Sequence, residues 1–519
     1  MEARLSGFRK CNDMHRNNAG GYERPRSGQD TIRSLAAPSG TEIRLAMTTP
    51  MKSICAHLRL FSAVAGLFSM LASSLPATAR ADEAPVCNFE FGAGPFAAGY
   101  TPVSPDMQFS AERGFGFEPT GARVFAVDHA KAGRGGFLAR VAAALRGSNP
   151  LHEQFITADK PFYFSARMPQ EGNYRVRVTL GDAAGESTTT IKAELRRLMV
   201  EAVHTAPGEF KTVEFIVNTR TPKIAAVGDI PAGVVKLKAP RESVQEAWDW
   251  DDLLTLEFNG ARPAVCAVEI AKADVPTVFV IGDSTVCDQS REPFNSWGQM
   301  LPNFFKPDVA VANHGESGET YRDSIGRRRL DKMLSLMKPG DYLFMQFGHN
   351  DQKQIAAGTG GPFTTYKAEI RKHVDAVRAH GGTPVIVSPM ERRNFNPDGT
   401  LKPTLADYAE ASRQAARELN VAFIDLNAQS ILFYQALGAD KAYLAFAGTG
   451  LKRDATHHDN YGSYELAKII IQGIRDDGLP LAAHIKDDFP GFDPKHPDSP
   501  DTFAVPPSPL YNNQRPLGD

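Results

Sequence analysis

The chain has 519 residues, too many for one ordinary core, which sets an expectation of two domains with appendages. Hydrophobic residues at 42% and charged residues at 23% exclude a disordered or collagen-like chain. A formal net charge of −2 gives no global attraction to nucleic acid or to an anionic membrane, so function has to be read from local sites.

Residues 1–50 are rich in Arg, Asn and Gly and have no apolar period. They are expected to be a non-native or over-extended N-terminus, because the next stretch has the features of a signal peptide (residues 51–81). Met51 to Arg59 is basic and Leu60 to Leu75 is apolar. Ala77-Thr78-Ala79 and Ala79-Arg80-Ala81 both fit small-residue cleavage sites. The apolar run is short for a spanning helix, which needs roughly 20 residues, and Pro76 suits cleavage better than an anchor. A secreted or periplasmic protein follows, with no membrane contact after cleavage. Five cysteines fall to three after cleavage (Cys87, Cys266 and Cys287), enough for one intrachain bridge at most.

Residues 82–272 alternate with period two in short runs such as Asn173–Leu180, Thr188–Leu195, Thr212–Val217 and Leu253–Phe258. Gly, Pro and Asn turns separate these runs, which predicts an all-β sandwich domain. Cys87 falls in its first strand and Cys266 in its last, and a Cys87–Cys266 disulfide is expected there, leaving Cys287 free.

The texture changes after Pro276. Thr277–Ile281, Val309–Ala312, Tyr342–Phe347, Pro384–Ser388 and Val421–Asp425 are continuous apolar runs, the mark of strands buried on both faces. Helical stretches intervene at Tyr366–His380 and Leu405–Leu419, and a last one runs from about Gly462 to Ile474. Strand–helix alternation predicts an α/β domain over 276–488, with a parallel sheet between helical layers. Residues 489–519 are Pro- and Asp-rich and read as a loosely packed tail.

Ligands of such sheets bind at the carboxyl ends of the strands. Those ends carry Gly282-Asp283-Ser284-Thr285, then Asn313 to Gly318, then Gly348-His349-Asn350-Asp351. Asp454-Ala455-Thr456-His457 precedes the final helix. Singly each is an ordinary turn. Together, in this order, they resemble the four blocks of SGNH (GDSL-type) hydrolases over roughly residues 276–480. Within that superfamily the Gly-Asp-Ser-Thr, Gly-His-Asn-Asp and Asp-x-Thr-His forms look most like rhamnogalacturonan acetylesterases. The preceding module, with Phe89 to Gly92, Gly99 to Thr101 and Gly114 to Glu118, is similar to the galactose-binding-like N-terminal sandwich of bacterial members.

The resemblance implies a three-layer, flavodoxin-like hydrolase domain. It implies catalysis by Ser284 as nucleophile, His457 as base and Asp454 as its orienting carboxylate. Three oxyanion donors are carried over: the Ser284 and Gly318 N–H groups and the Asn350 side-chain amide. His458 is the competing base and Asp283 the competing carboxylate, the latter better suited to shaping the turn. Glu319 departs from the basic or small residue that many relatives place after the glycine. Trp297, Tyr321, Arg322, Glu391, Arg392 and Arg393 are candidate substrate contacts, arginine being suited to sugar carboxylates. Asp454, His457, His458 and Asp459 cluster, but the serine mechanism accounts for them and requires no metal or cofactor.

The expected reaction is removal of acetyl groups from a plant polysaccharide, rhamnogalacturonan, through an acyl-enzyme. Alternatives are an SGNH esterase acting on xylan, oligosaccharides, lipids or thioesters, and a non-catalytic carbohydrate-binding protein. Apolar entrance loops would favour an acyl chain, and a missing triad or oxyanion residue would favour a binding protein. The loops here are rich in Arg, Asp, Asn and Gly, and no residue of either set is missing.

Overall fold

The computed structural model describes residues 85–129, 149–450 and 452–509. The expected N-terminal extension and signal peptide lie outside the described residues. Two mainly antiparallel sheets, with one parallel pair between Pro85–Phe91 and Thr101–Val103, form the N-terminal part, and their inner faces share one core. Phe89, Phe91, Val176, Val178, Val268 and Ile270 come from one sheet, and Phe117, Phe162, Phe164, Leu254, Leu256 and Phe258 from the other. Three of the period-two runs lie within strands Gly172–Gly181, Phe210–Thr219 and Leu253–Asn259, and the fourth, Thr188–Leu195, overruns its strand Ser187–Ala193 by two residues into a turn.

The first strand, Pro85–Phe91, pairs antiparallel with the last, Val265–Lys272, so the two ends of the module do meet. The expected disulfide does not form. Cys87 lies opposite Ile270, four residues along the strand from Cys266, or about 13 Å at roughly 3.3 Å per residue. A bridge needs Cα atoms within about 7 Å. Cys87, Cys266 and Cys287 are all free thiols.

Five parallel strands follow: β1 (Thr277–Gly282), β2 (Ala310–Asn313), β3 (Tyr342–Gln346), β4 (Thr383–Val387) and β5 (Ala422–Ile424). Their spatial order is β2-β1-β3-β4-β5, the flavodoxin-like arrangement. Alternate residues supply two separate cores. Val278, Val280, Phe344, Val385 and Val387 pack against α1 (Trp297–Met300), α5 (Leu426–Leu437) and α6 (Asn460–Asp476). Phe279, Ile281, Leu343, Met345 and Ile386 face α2 (Arg329–Leu336), α3 (Lys367–Ala379) and α4 (Ala406–Leu419). Helix α3 buries Ile370, His373, Val374 and Val377, the spacing of a single helical stripe. Asn420 ends α4 in the left-handed conformation, as its position after the apolar period suggests.

The two parts belong to one compact unit, Arg80–Asp519. Apolar side chains cross their seam, Leu198 joining the core of Val278 and Trp297 and Trp250 that of Phe279, and buried charged residues accompany them. Arg197, on the sandwich, is buried between Asp249 at 2.7 Å and Asp288 at 2.5 Å. Arg196 pairs with Glu292 at 2.6 Å and donates to the carbonyls of Gln289 and Phe294. The tail is anchored rather than loose: Val505 and Ser508 are buried. The Ser508 hydroxyl donates to Glu257 at 2.7 Å and accepts from Lys192 at 2.8 Å, while its N–H donates to Glu292 at 2.9 Å. Among the described residues no helix is long and apolar enough to cross a membrane.

Candidate active site

The turn after β1 begins with Gly282, where a Cβ would lie 2.4 Å from the Gln346 carbonyl oxygen. Only glycine lets the chain turn this close to β3. Asp283 shapes the turn, as expected: its Oδ1 accepts from the Thr285 N–H at 3.0 Å and hydroxyl at 2.7 Å. His349 Nδ1 donates to the other oxygen at 3.2 Å. Burial alone would raise the Asp283 pKa, but His349 and the Thr285 donors outweigh it and hold the carboxyl below its usual range. The Nε2 of His349 makes no hydrogen bond among the described residues.

Ser284 is buried at the head of this turn, with its Oγ 2.9 Å from His457 Nε2. His457 Nδ1 lies 3.0 Å from Asp454 Oδ2. Asp454 Oδ1 also accepts the backbone N–H groups of Thr456 and His457, at 2.6 and 3.1 Å. Burial opposes ionisation of Asp454, but the His457 hydrogen bond and charge and these two N–H groups hold its pKa well below the usual carboxylate range. Asp454 and His457 sit on strand Lys452–His458, which pairs with Phe446–Thr449. Phe294 packs edge-on against the His457 ring, with centroids 5.9 Å apart.

His458 is excluded as the base by its surroundings. Its Nε2 lies 2.8 Å from the Tyr434 hydroxyl and its ring packs on Phe446. Burial, with smaller contributions from His457 and His349, pushes its pKa down to about 3.

Gly318 adopts φ +73°, a conformation that favours glycine, and its N–H bonds to none of the described residues. Asn350 Nδ2 donates to the Glu319 carbonyl at 3.2 Å. Lys353 donates to Asn350 Oδ1 at 2.8 Å, which fixes the amide orientation and aims the NH2 toward the loop of Gly318.

That loop is held from the sandwich side, a feature sequence reasoning missed. Arg241 donates to the Ser317 hydroxyl and pairs with Glu246 at 2.7 Å and Glu316 at 3.4 Å. Lys238 donates to the Ser317 carbonyl. Glu319 is buried against Arg329 at 2.9 Å, so the unusual acid after the glycine is committed to the loop's own support. Asn313, at the end of β2, donates to Asp288 at 2.8 Å, and Asp288 is the partner of Arg197. Gln289 donates to the Ser284 carbonyl at 2.7 Å. The segment 236–250 reads as an ordinary run of mixed charges, and nothing local in the sequence ties Lys238 or Arg241 to Ser317.

Most of the candidate substrate contacts are committed elsewhere. Trp297 is buried beneath the nucleophile turn, where it donates to Gln346 at 2.8 Å; Gln346 in turn donates to Thr285 at 2.9 Å. Tyr321 is buried among Phe347, Tyr366 and His373. Glu391 is buried, accepting from the Thr404 hydroxyl and the Leu405 N–H. These three therefore serve packing and loop closure. Arg322 pairs with Glu369 of α3 at 2.9 Å. Arg392 is half-buried, donating to Gln352 and Thr404. Arg393 donates to the carbonyls of Arg453 and Asp454 and so braces the loop of the orienting carboxylate.

A three-layer α/β domain with this strand order and a buried Ser–His–Asp chain at the strand ends is the architecture of an SGNH-type hydrolase. Residues 280–458 match the GDSL-like lipase/acylhydrolase family. Over 220 residues the chain is 35% identical to the rhamnogalacturonan acetylesterase RhgT of Bacillus subtilis, covering 40% of this chain and 93% of that one. It is 26% identical over 415 residues to the uncharacterized esterase YxiM of the same organism, covering 77% of this chain and 93% of that one. The crystal structure of the Bacillus subtilis protein YxiM aligns with a TM-score of 0.39 at 22% identity, covering 76% of this chain and 99% of that one. The chain belongs to the GDSL-like lipase/acylhydrolase family and is a carboxylic ester hydrolase.

Proposed function

We propose that this esterase removes acetyl groups from rhamnogalacturonan, after export from the cell, with Ser284 as nucleophile. The observation that carries the reading is the continuous chain from Ser284 Oγ through His457 to Asp454, at 2.9 and 3.0 Å. With Nδ1 donating to Asp454, His457 Nε2 has a lone pair aimed at the Ser284 hydroxyl. Ser284 Oγ attacks the acetyl carbonyl as Nε2 takes its proton. The oxyanion that forms is met by the N–H groups of Ser284 and Gly318 and by the Asn350 amide. His457 returns the proton to the sugar oxygen as the C–O bond breaks, leaving acetyl-Ser284. A water molecule, deprotonated by His457, then attacks this ester and acetate leaves. Asp454 stays ionised throughout and keeps the imidazole in the working tautomer.

The choice of polymer is supported by the relatives named rhamnogalacturonan acetylesterases and by the polar loops around the site. Acetate release from rhamnogalacturonan, pectin, xylan and a synthetic acetyl ester tests it. Rhamnogalacturonan is expected to be the best polymeric substrate. A clear preference for acetylated xylan would overturn the choice of polymer and leave the chemistry standing.

A further inference from the structure

A groove of about 310 Å3 opens at the seam between the two parts, away from the loops of Gly318 and Asn350. Tyr163, Val244 and Trp248 line it from the sandwich side, and Ser290 and Arg291 from the loop that follows the nucleophile turn. Trp248 is half-buried, with its ring 5.2 Å from that of Tyr163. Val244 beside it is 69% exposed. Arg291 is exposed, its carbonyl accepts from the Phe294 N–H at 3.2 Å, and its guanidinium has no hydrogen-bond or ion-pair partner among the described residues.

The floor beneath is rigid. Arg196 is buried there, and its bonds to Glu292 and to the carbonyls of Gln289 and Phe294 clamp the loop that carries Arg291. The same loop ends at Phe294, whose ring touches His457. Three residues span at most about 10 Å of chain. Arg291 is therefore within about 10 Å of the Phe294 backbone, a distance that a polymer of a few sugar rings covers.

An indole face is an apolar, weakly negative plateau that suits the C–H face of a pyranose. A free guanidinium at its edge presents a planar fork matched to a carboxylate. We propose that this groove is an accessory subsite for uronate residues of the polysaccharide, with Trp248 stacking on a ring and Arg291 pairing with its carboxylate. The subsite rests on the polysaccharide reading above and adds to it a second point of attachment, remote from the ester.

Steady-state kinetics on acetylated rhamnogalacturonan, acetylated xylan and a small synthetic acetyl ester test the subsite, using wild type, Trp248→Ala and Arg291→Gln. In Trp248→Ala the ratio of kcat/KM on rhamnogalacturonan to that on the synthetic ester is expected to fall about tenfold, through KM. In Arg291→Gln the same ratio falls about fivefold on rhamnogalacturonan and stays constant on xylan, which lacks the uronate backbone. Unchanged ratios in both variants, with wild type active on rhamnogalacturonan, would overturn the subsite alone. A parallel fall on the synthetic ester in both variants would assign the residues to packing and overturn it as well. A wild type that hydrolyses only the synthetic ester overturns the polysaccharide reading, and the subsite with it.

Discussion

The two halves of the proposed active site, one for proton transfer and one for the oxyanion, are built in different ways. The proton-transfer half lies within the α/β part, and its orienting step is local: Asp454 and His457 are three residues apart on one strand. The oxyanion half depends on distant chain. Gly318 sits in a loop held by Lys238 and Arg241, some eighty residues earlier and on the sandwich side of the seam. A base and its carboxylate need one short hydrogen bond. An oxyanion donor has to be held against a charge that exists only in the transition state, so its loop must be stiff before the reaction starts. The buried Arg241 and the half-buried Lys238 of a second module brace that loop.

The most severe break in the proton-transfer half is Ser284→Ala. Turnover on a synthetic acetyl ester is expected to fall by about 10⁴-fold or more, with an unchanged circular dichroism spectrum. Retention of more than a few per cent of wild-type turnover would remove Ser284 from its role.

Next in size is the contrast between the adjacent histidines. His457→Ala should approach the loss seen at Ser284. His458→Ala should keep turnover within about tenfold, at a stability cost of about 1–3 kcal/mol, because it strips the Tyr434 hydroxyl of its buried partner. The reverse ranking would exchange their roles. The same contrast predicts the pH profile. Asp454 is held ionised well below the usual carboxylate range, and His458 remains neutral down to about pH 3. With His457 as the proposed base, its protonation alone should switch off the acid side of the profile. The acid limb of log kcat/KM should rise with slope one, and a slope of two would show that a second group titrates with it.

A smaller effect sharpens the comparison from the other half. Arg241→Met removes the cation from Ser317, Glu246 and Glu316 without touching the Ser–His–Asp chain. Loss of one oxyanion donor typically costs about 10²–10³ in turnover. Displacement of Gly318 is therefore expected to lower kcat about 10- to 100-fold with KM nearly constant, and Arg241→Lys should recover part of it. Equal losses in kcat and in folded fraction would reduce Arg241 to a stability element. The smallest effect belongs to a seam contact remote from that loop. Ser508→Ala should lower stability by about 1–2 kcal/mol in chemical denaturation and leave kcat unchanged, since only the Glu257–Lys192 contact is disturbed.

The contrast between the halves also explains what could be read from the chain alone. Five unbroken apolar runs can only be strands covered on both faces, and each appears in the sheet. Asp454 and His457 announce themselves because their spacing is their geometry. Trp297, Tyr321 and Glu391 misled because an aromatic or charged residue just past a strand looks the same whether it turns to the cleft or to the core. The register of a sheet has no such local mark, so the meeting of the first and last sandwich strands was legible while the offset of Cys87 from Cys266 was not. The tail misled by composition: its prolines resemble a linker, while Phe489, Asp498, Val505 and Ser508 hold it to the body. Lys238, Arg241 and Arg197 look like ordinary solvated charges in sequence, and their partners Ser317, Glu316 and Asp288 lie tens of residues away.

The clasp made by Ser508 bears on how this enzyme could be taken apart. The C-terminal segment returns to bind Lys192 and Glu257 of the sandwich, so the chain closes over its own seam like a strap. A library that exchanges sandwich modules as cassettes would therefore cut three sets of contacts at once: this strap, the Arg196–Arg197 pairs and the brace on the Gly318 loop. Hybrids should keep their activity only where all three sets of partners travel together across the crossover points.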